Sequence, residues 1–208
     1  MRNIAVLVSG GGTNLQALLD AEQAGRIPQG RIVRVIASRP GVYALERAKA
    51  RGVATAVVSR KTFADAAAFD EALLAELEAC GADVVVLAGF LSILGEKVIA
   101  RYRNRILNVH PSLIPSFCGA GFYGLKVHEA ALAAGVKVTG ATVHLVNEIP
   151  DGGAIVLQKA VDVRPDDTPE TLQRRVMERA EWELLPRAVA LLCADKIQVN
   201  GQIAVIEE

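Results

Sequence analysis

Asn108 and His110 are the residues whose types and spacing best suit proton transfer. They lie two positions apart at the end of a predicted strand, so both side chains leave the same face of that strand. Pro111 follows and ends the strand, since proline has no N–H to donate. The pair brings a carboxamide beside an imidazole, which is a common general acid or base. Spacing alone also allows a structural pair, in which Asn108 caps the strand and His110 binds neighbouring backbone.

Asp151 is a second candidate for chemistry, in the segment Ile149-Pro150-Asp151-Gly152-Gly153. Aspartate before glycine is also an ordinary turn former. The residues alone therefore predict either a plain turn or a functional acid at Asp151.

A glycine loop at Ser9–Asn14 follows the first predicted strand and opens a helix. Its consecutive N–H groups and the helix N-terminus favour an anion, and Thr13 and Asn14 add side-chain donors, so a phosphate monoester fits. No Gly-Lys-Ser/Thr follows, and Leu15 occupies the position of the third glycine in a dinucleotide fingerprint. Arg39 still permits an NADP site, and a tight turn without ligand also remains open.

The elements that position these residues predict an α/β fold. Short β-branched runs alternate with segments of helical periodicity, which is typical of a Rossmann-like, mostly parallel sheet with helices on both faces. Ligands bind such sheets beyond the carboxyl ends of the strands, here between the first and fourth. The predicted strands are 3–8, 31–37, 54–58, 83–88 and 105–109.

The last third of the sequence departs from this alternation. Two strands, 136–146 and 154–163, are joined by a short loop, which predicts an antiparallel pair. A long helix is predicted at 169–193, followed by a hairpin at 196–206 about Asn200-Gly201.

Composition excludes several classes of protein. The 208 residues contain 23 basic and 23 acidic side chains, so nucleic acid and anionic membranes are poor partners. The longest apolar runs are far shorter than the roughly 20 residues of a membrane span, and the N-terminus lacks a secretory pattern, which predicts a cytoplasmic protein. The three cysteines show no pairing pattern and are expected to pack ordinarily. Widely spaced histidines predict no metal, and His144 is interpreted as a packed or supporting histidine.

The motifs resemble those of the phosphoribosylglycinamide formyltransferases, the folate-dependent enzymes of purine synthesis, over nearly the whole chain. The motifs that carry the resemblance are Ser-Gly-Gly-Gly-Thr-Asn-Leu-Gln at 9–16, Ala-Gly-Phe-Leu-Ser-Ile-Leu at 88–94, Asn-Val-His-Pro-Ser-Leu-Ile-Pro at 108–115, Thr-Val-His at 142–144 and Asp-Gly-Gly at 151–153.

This resemblance implies a fold, substrates and residue roles. Residues 1–208 would form one formyltransferase domain, with a nucleotide-binding half at 1–107 and a catalytic and folate half at 108–208. The enzyme would act as a monomer or homodimer, without metal, on phosphoribosylglycinamide with 10-formyltetrahydrofolate as cosubstrate. The implied catalytic residues are Asn108, His110 and Asp151; the implied substrate contacts are Gly12, Thr13, Asn14 and Glu181; and the implied folate contacts are Leu91, Ser92, Ile93, Leu94 and Asn108. A carboxylate near an imidazole favours the charged ring and fixes its orientation, so this trio predicts a raised pKa for His110.

The sequence departs from the family pattern at several positions. Ala66 and Ser92 stand where many members carry arginine, so Arg60, Lys61 or the backbone is expected to replace those donors. The loop 116–126 is longer than usual, as either a mobile lid or a contact surface. Near Glu181 the family commonly has a Glu-His pair and one residue fewer. Glu181 is interpreted either as a contact to the ribose or amine or as part of the helix surface.

Three alternatives to this function differ in what they require of the sequence. A tRNA formyltransferase needs an added basic domain, and a formyltetrahydrofolate hydrolase usually carries an extra regulatory domain; neither fits in 208 residues. The third is a nonenzymatic NADP-binding module, which would depend on the glycine loop and Arg39.

Overall fold

The computed structural model describes residues 1–207, within which strands and helices alternate. The strands are β1 (Arg2–Val8), β2 (Gly30–Ala37), β3 (Ala54–Val57), β4 (Val84–Leu87), β5 (Ile106–His110), β6 (Val138–Leu145), β7 (Ile155–Asp162), β8 (Ile197–Asn200) and β9 (Ile203–Ile206). The α-helices are α1 (Thr13–Gln23), α2 (Tyr43–Ala50), α3 (Ala66–Ala79), α4 (Glu96–Arg101), α5 (Leu125–Ala133), α6 (Pro169–Val176) and α7 (Trp182–Cys193).

The strands form one sheet in the order β3-β2-β1-β4-β5-β6-β7-β9-β8. Strands β1 to β5 pair in parallel, whereas β6 is antiparallel to both β5 and β7. The predicted fold class is therefore confirmed, including the antiparallel strands of the last third. Strand order reverses beside β1, which has β2 on one side and β4 on the other, so the predicted crevice lies beyond the carboxyl ends of β1, β4 and β5.

The central strands are apolar because helices cover both faces of the sheet. All of β4 is buried, and so are the last five residues of β1. Two hydrophobic clusters lie on opposite sides of these strands: Val6 and Val8 pack in one, and Ala5 and Leu7 in the other. This two-sided burial leaves the strand ends, rather than the strand faces, for binding.

The C-terminal hairpin extends the sheet. β8 and β9 are antiparallel about Asn200-Gly201, as predicted, and β9 also pairs in parallel with β7 through Ile155 and Ile203. The sequence did not predict this second pairing, because nothing local to either strand specifies it.

The long helix predicted at 169–193 is interrupted by a π-helical turn at Met177–Glu181. A π turn accommodates one more residue than an α turn, and such turns often occur at functional sites. The resemblance implies one extra residue in this helix, and a π turn is able to hold it. Among residues 1–207, no helix has both the length and the apolar composition required to cross a bilayer.

Asp70 fixes the segment that follows β4. This buried side chain on α3 accepts the N–H groups of Gly95 and Lys97, each at 2.9 Å, and so caps the start of α4. A β-carbon at Gly95 would collide with the Asp70 carboxylate, so glycine is required at this close approach. The end of the predicted folate segment 91–94 is thereby attached to the helix layer.

Replacing Asp70 by alanine is expected to lower the free energy of unfolding by about 3 kcal/mol, because two hydrogen bonds to a charged group are lost in a buried site. Urea denaturation measures this change. Glu71→Ala is the matched control, since Glu71 is exposed and pairs with the Lys97 ammonium on α4. Equal stabilities of the two variants would contradict the capping role.

Candidate active site

β5 and the turn between β6 and β7 bring three of the predicted residues together. Asp151 Oδ2 lies 3.5 Å from His110 Nδ1, and Asp151 Oδ1 lies 3.4 Å from Asn108 Nδ2. Asn108 and His110 do share one face of β5, as their spacing predicts. The structure therefore places a carboxamide, an imidazole and a carboxylate at one point beyond the sheet.

Asp151 is the centre of this group. It adopts φ +54°, a left-handed conformation that aspartate tolerates better than most residues. A β-carbon at Gly153 would overlap the Leu145 carbonyl, so the Asp-Gly-Gly sequence allows the turn to fold tightly against β6. This tight turn therefore also orients the Asp151 carboxylate toward His110.

His144 is a member of the cluster that the sequence did not place among the site residues. Its Nε2 lies 3.1 Å from Asn108 Nδ2 and 3.4 Å from Asp151 Oδ1, while its Nδ1 contacts the Leu145 carbonyl at 2.9 Å. It thus contacts two site residues from within the protein, in line with its interpretation as a supporting histidine. The antiparallel register, which pairs Asn108 with His144, is the signal that identifies it.

The loop after β5 contacts both His110 and Asp151 through its backbone. The Phe117 carbonyl lies 2.8 Å from His110 Nε2, and the Gly119 N–H donates to Asp151 Oδ2 at 2.8 Å. Because a carbonyl only accepts, Nε2 carries a proton, and any second proton on the ring is taken up at Nδ1, facing Asp151. The beginning of the loop 116–126 therefore belongs to the site.

The predicted rise in the pKa of His110 is wrong. Burial lowers its pKa below the ordinary value, and the opposing charge of Asp151 and the hydrogen bond to the Phe117 carbonyl do not compensate. The ring is only 4% exposed, and its 3.5 Å contact to Asp151 is longer than a good ion pair. The lowered pKa of His110 therefore favours the neutral ring at pH 7.

The pKa of Asp151 is lowered. Burial acts to raise it, but the contact with His144, the proximity of the His110 ring and the Gly119 N–H together outweigh burial. The site at neutral pH therefore contains an ionised carboxylate beside an imidazole with one proton.

The glycine loop leads from β1 into α1 and leaves its N–H groups free. Gly12 caps the helix with φ +73°, and a β-carbon there would lie 2.7 Å from Ala44 Cβ. Within residues 1–207, the N–H groups of residues 10–14 have no hydrogen-bond acceptor. This arrangement suits an anion, as the sequence predicts.

Glu181 is buried against this loop. Its Oε2 accepts from Asn14 Nδ2 at 2.6 Å, and the residue is only 5% exposed, which excludes a place on the helix surface. The π turn ends at Glu181. Burial raises the pKa of Glu181 to about 7, and the bond from Asn14 opposes that rise.

Glu181 is expected to make stability depend on pH. Its folded pKa lies above the ordinary value of 4.5, so the folded state binds the proton more tightly, and stability is lost as pH rises through about 7. The loss between pH 5 and 7 is at most ~1.4 kcal/mol per pH unit. Glu181→Gln is expected to remove this slope in urea denaturation at pH 5, 6, 7 and 8. The exposed Glu183→Gln variant is the control, and a slope that persists in Glu181→Gln would assign it to another group.

The predicted folate segment exposes apolar side chains beside the cluster. Leu91 and Ile93 are 62% and 81% exposed, whereas Leu94 is buried and Ser92 is half-buried. The Leu91 N–H donates to Ser9 Oγ at 2.9 Å, which ties this segment to the start of the glycine loop. Exposed apolar side chains at a strand end are typical of a ligand surface.

Two arginines that were candidates for ligand binding donate to backbone carbonyls instead. Arg39 Nε donates to the Ser9 carbonyl at 3.0 Å, and Arg60 Nη1 donates to the Phe63 carbonyl at 3.2 Å. Cys80, Cys118 and Cys193 are free thiols. In the part of the chain that the structure describes, no three His, Cys, Asp or Glu side chains are grouped to hold a metal ion.

Known proteins resemble this chain in sequence. The family described as formyl transferase matches residues 2–189. The phosphoribosylglycinamide formyltransferase of Haemophilus influenzae is 38% identical over 207 residues, covering 100% of this chain and 94% of that protein. The trifunctional purine biosynthetic protein adenosine-3 of Bos taurus is 42% identical over 99% of this chain, but the chain spans only 20% of that protein.

A solved structure resembles the chain equally well. The glycinamide ribonucleotide transformylase 1 of Symbiobacterium toebii has a TM-score of 0.94 and 42% identity, covering 100% of this chain and 95% of that one. The similarity thus extends over both the glycine loop and the cluster at Asp151.

Proposed function

Because this chain belongs to the formyl transferase family, we propose that it transfers the formyl group of 10-formyltetrahydrofolate to the amino group of 5'-phosphoribosylglycinamide, in the biosynthesis of purines. The products are formylglycinamide ribonucleotide and tetrahydrofolate. The observation that carries the proposal is the convergence of Asn108 and His110 on Asp151, beside a loop whose N–H groups are free to bind a phosphate.

The reaction requires one proton to move. The substrate amine forms a bond to the formyl carbon, the bond from that carbon to folate N10 breaks, and the proton lost by the amine ends on N10. Negative charge develops on the formyl oxygen during the attack, so the site must supply a hydrogen-bond donor and a group that holds the proton in transit.

Asn108 and His110 meet these needs in the proposal. The Asn108 amide donates to the developing oxyanion in place of its 3.4 Å contact with Asp151 Oδ1. His110, neutral at the start, takes up the proton of the amine directly or through a bound water, and passes it on for the leaving nitrogen. The imidazolium therefore forms during the reaction, and Asp151 stabilises its charge at Nδ1.

The binding residues are proposed on the same basis. Gly12, Thr13 and Asn14 hold the substrate phosphate with their N–H groups, and Glu181 contacts the ribose or amine. Leu91, Ser92, Ile93 and Leu94, together with Asn108, line the folate pocket. The exposed apolar side chains at 91 and 93 fit the flat ring system of a folate.

The organisation of the protein is part of the proposal. Residues 1–208 act as one formyltransferase domain, with the phosphate loop in the half 1–107 and the proton-transfer residues in the half 108–208. The cytoplasm, where free cysteines persist, is the proposed location, and a monomer or homodimer is the proposed assembly.

The proposal is tested by following the absorbance of 10-formyl-5,8-dideazafolate with and without phosphoribosylglycinamide. Turnover that requires this amine is expected. Turnover without any amine would identify a hydrolase, and turnover only with another amine would keep the chemistry but replace the substrate. Tight NADPH binding without folate binding would contradict the proposal altogether.

A further inference from the structure

We infer that Arg47 is a positioning residue of the glycine loop: it holds the Gly11 carbonyl away from the bound phosphate, so that the loop N–H groups converge on the phosphate. The inference rests on the proposed function only for the phosphate that the substrate amine carries. Arg47 lies on α2, outside the motifs that carry the resemblance to the formyltransferases.

The Arg47 guanidinium is held in one orientation by three contacts. Nε donates to the Gly11 carbonyl at 2.8 Å, and Nη1 donates to Gln16 Oε1 at 2.9 Å. The guanidinium carbon also lies 4.9 Å from the centre of the Tyr43 ring, one turn earlier on α2. A planar guanidinium with two directed donors and an aromatic face beside it has little freedom to turn.

The carbonyl of Gly11 is the last of three consecutive carbonyls that face the same side. All three accept hydrogen bonds from the segment 39–47. The bonds are Arg39 Nε to Ser9 O at 3.0 Å, Ala44 N to Gly10 O at 3.2 Å and Arg47 Nε to Gly11 O at 2.8 Å.

These bonds set the direction of the loop N–H groups. In a trans peptide the C=O and the following N–H point in opposite directions. The N–H groups of residues 10–12 therefore point away from the segment 39–47, toward the crevice. Consecutive N–H groups on one side form a concave anion-binding surface.

The glycine loop packs directly against α2. Gly12 approaches Ala44 so closely that a β-carbon on the glycine would lie 2.7 Å from Ala44 Cβ. Arg47 acts on a segment already packed against its own helix. Its Nε and Nη1 donate to the Gly11 carbonyl and to Gln16, and the inferred role is exerted through these bonds.

Arg51 provides a matched control on the same stretch of chain. It immediately follows α2 and pairs with Asp20 at 2.5 Å and with Gln23, without contact to the loop. Arg47→Gln and Arg51→Gln each remove one positive charge, at positions about 4 residues apart. A difference in kinetics between the two variants therefore reports the position of the arginine and not the net charge of the protein.

The expected result is a rise of about tenfold or more in KM for phosphoribosylglycinamide in Arg47→Gln, since one charge-assisted hydrogen bond that orients the loop is lost. kcat and the KM for the folate are expected to stay within about twofold, and Arg51→Gln is expected to match the wild type. Arg47→Lys is expected to behave like Arg47→Gln, because an ammonium cannot make the two directed bonds. Full recovery by lysine would replace positioning with a simple charge effect and overturn the inference.

The amine substrate without its phosphate, glycinamide riboside, separates positioning from general damage. Arg47→Gln and the wild type are expected to have the same kcat/KM with the riboside, since no phosphate is bound in either case. An equal defect with both amines, or an unchanged KM for the phosphorylated amine, would overturn the inference.

Failure of the proposed function is distinguishable from failure of the inference. A wild-type enzyme that does not formylate phosphoribosylglycinamide would contradict the function alone. Inorganic phosphate is then the probe, titrated while the amide resonances of residues 10–14 are followed by NMR. Weaker phosphate binding by Arg47→Gln than by Arg51→Gln is expected, and equal binding would overturn the inference.

Discussion

Replacing His110 by alanine is expected to lower kcat by about 10²- to 10⁴-fold, the range that a positioned general acid or base contributes. His110 lies beside Asp151, and its imidazole can both accept and release a proton. Its pKa is lowered by burial, so the ring begins in the form that accepts the proton of the attacking amine.

The pH profile of the wild type follows from the direction of that shift. The neutral ring is the active form, so kcat/KM is expected to fall as pH drops through a pKa below 6.5. The alanine variant is expected to lose this acidic limb along with its rate. Steady-state kinetics between pH 5 and pH 9 measure both effects.

His128→Ala is the control for loss of a buried ring. His128 is fully buried, as His110 nearly is, but makes no hydrogen bond to the cluster among the described residues. Its removal is expected to lower stability and leave kcat within about tenfold, less than the smallest loss expected for an acid or base. A near-normal turnover by His110→Ala would contradict the assigned role.

The second large effect is expected from Asp151→Asn, a fall in kcat of about 10²- to 10³-fold. The carboxylate faces His110 Nδ1 at 3.5 Å and accepts the Gly119 N–H at 2.8 Å, so it both stabilises the imidazolium and holds the loop. The asparagine is nearly the same size, so the loss reports charge and hydrogen bonding rather than volume.

Asp151→Asn is also expected to shift the acidic limb of the pH profile. The charge of Asp151 acts to raise the pKa of His110, so its removal lets burial lower that pKa further, and the limb moves to lower pH. Glu148→Gln is the control, since it removes the same charge from an exposed position in the same turn. A limb that stays in place or moves to higher pH would show that Asp151 does not act on His110.

Much of the fold follows from local sequence. The alternation of apolar strands with amphipathic helices predicts the parallel sheet, and the connection lengths predict the antiparallel pair and the final hairpin. The π turn that ends at Glu181 could not be predicted from the sequence. It changes the register of the helix, and that change becomes apparent only when α7 is packed on the sheet. The pairing of β9 with β7 is equally nonlocal.

The pair Asn108 and His110 is determined by the sequence, since spacing of two on a strand fixes a shared face before any tertiary contact exists. The glycines of the loop are likewise a local property, but the direction of the loop N–H groups is set by bonds from the segment 39–47. The structure decided what these groups encounter. His144 joins the cluster through strand register, and the Phe117 carbonyl selects the protonated nitrogen of His110 through a loop seven residues away.

The electrostatics were decided by the tertiary structure alone. A carboxylate near an imidazole predicts a raised pKa for His110, but burial by the surrounding elements lowers it; the same cause raises the pKa of Glu181. The sequence thus determined which groups are present and which of them share a face. Their charge states, and the part of Arg47 in holding the loop, depend on burial and on contacts between segments far apart in the chain, which no local pattern specifies.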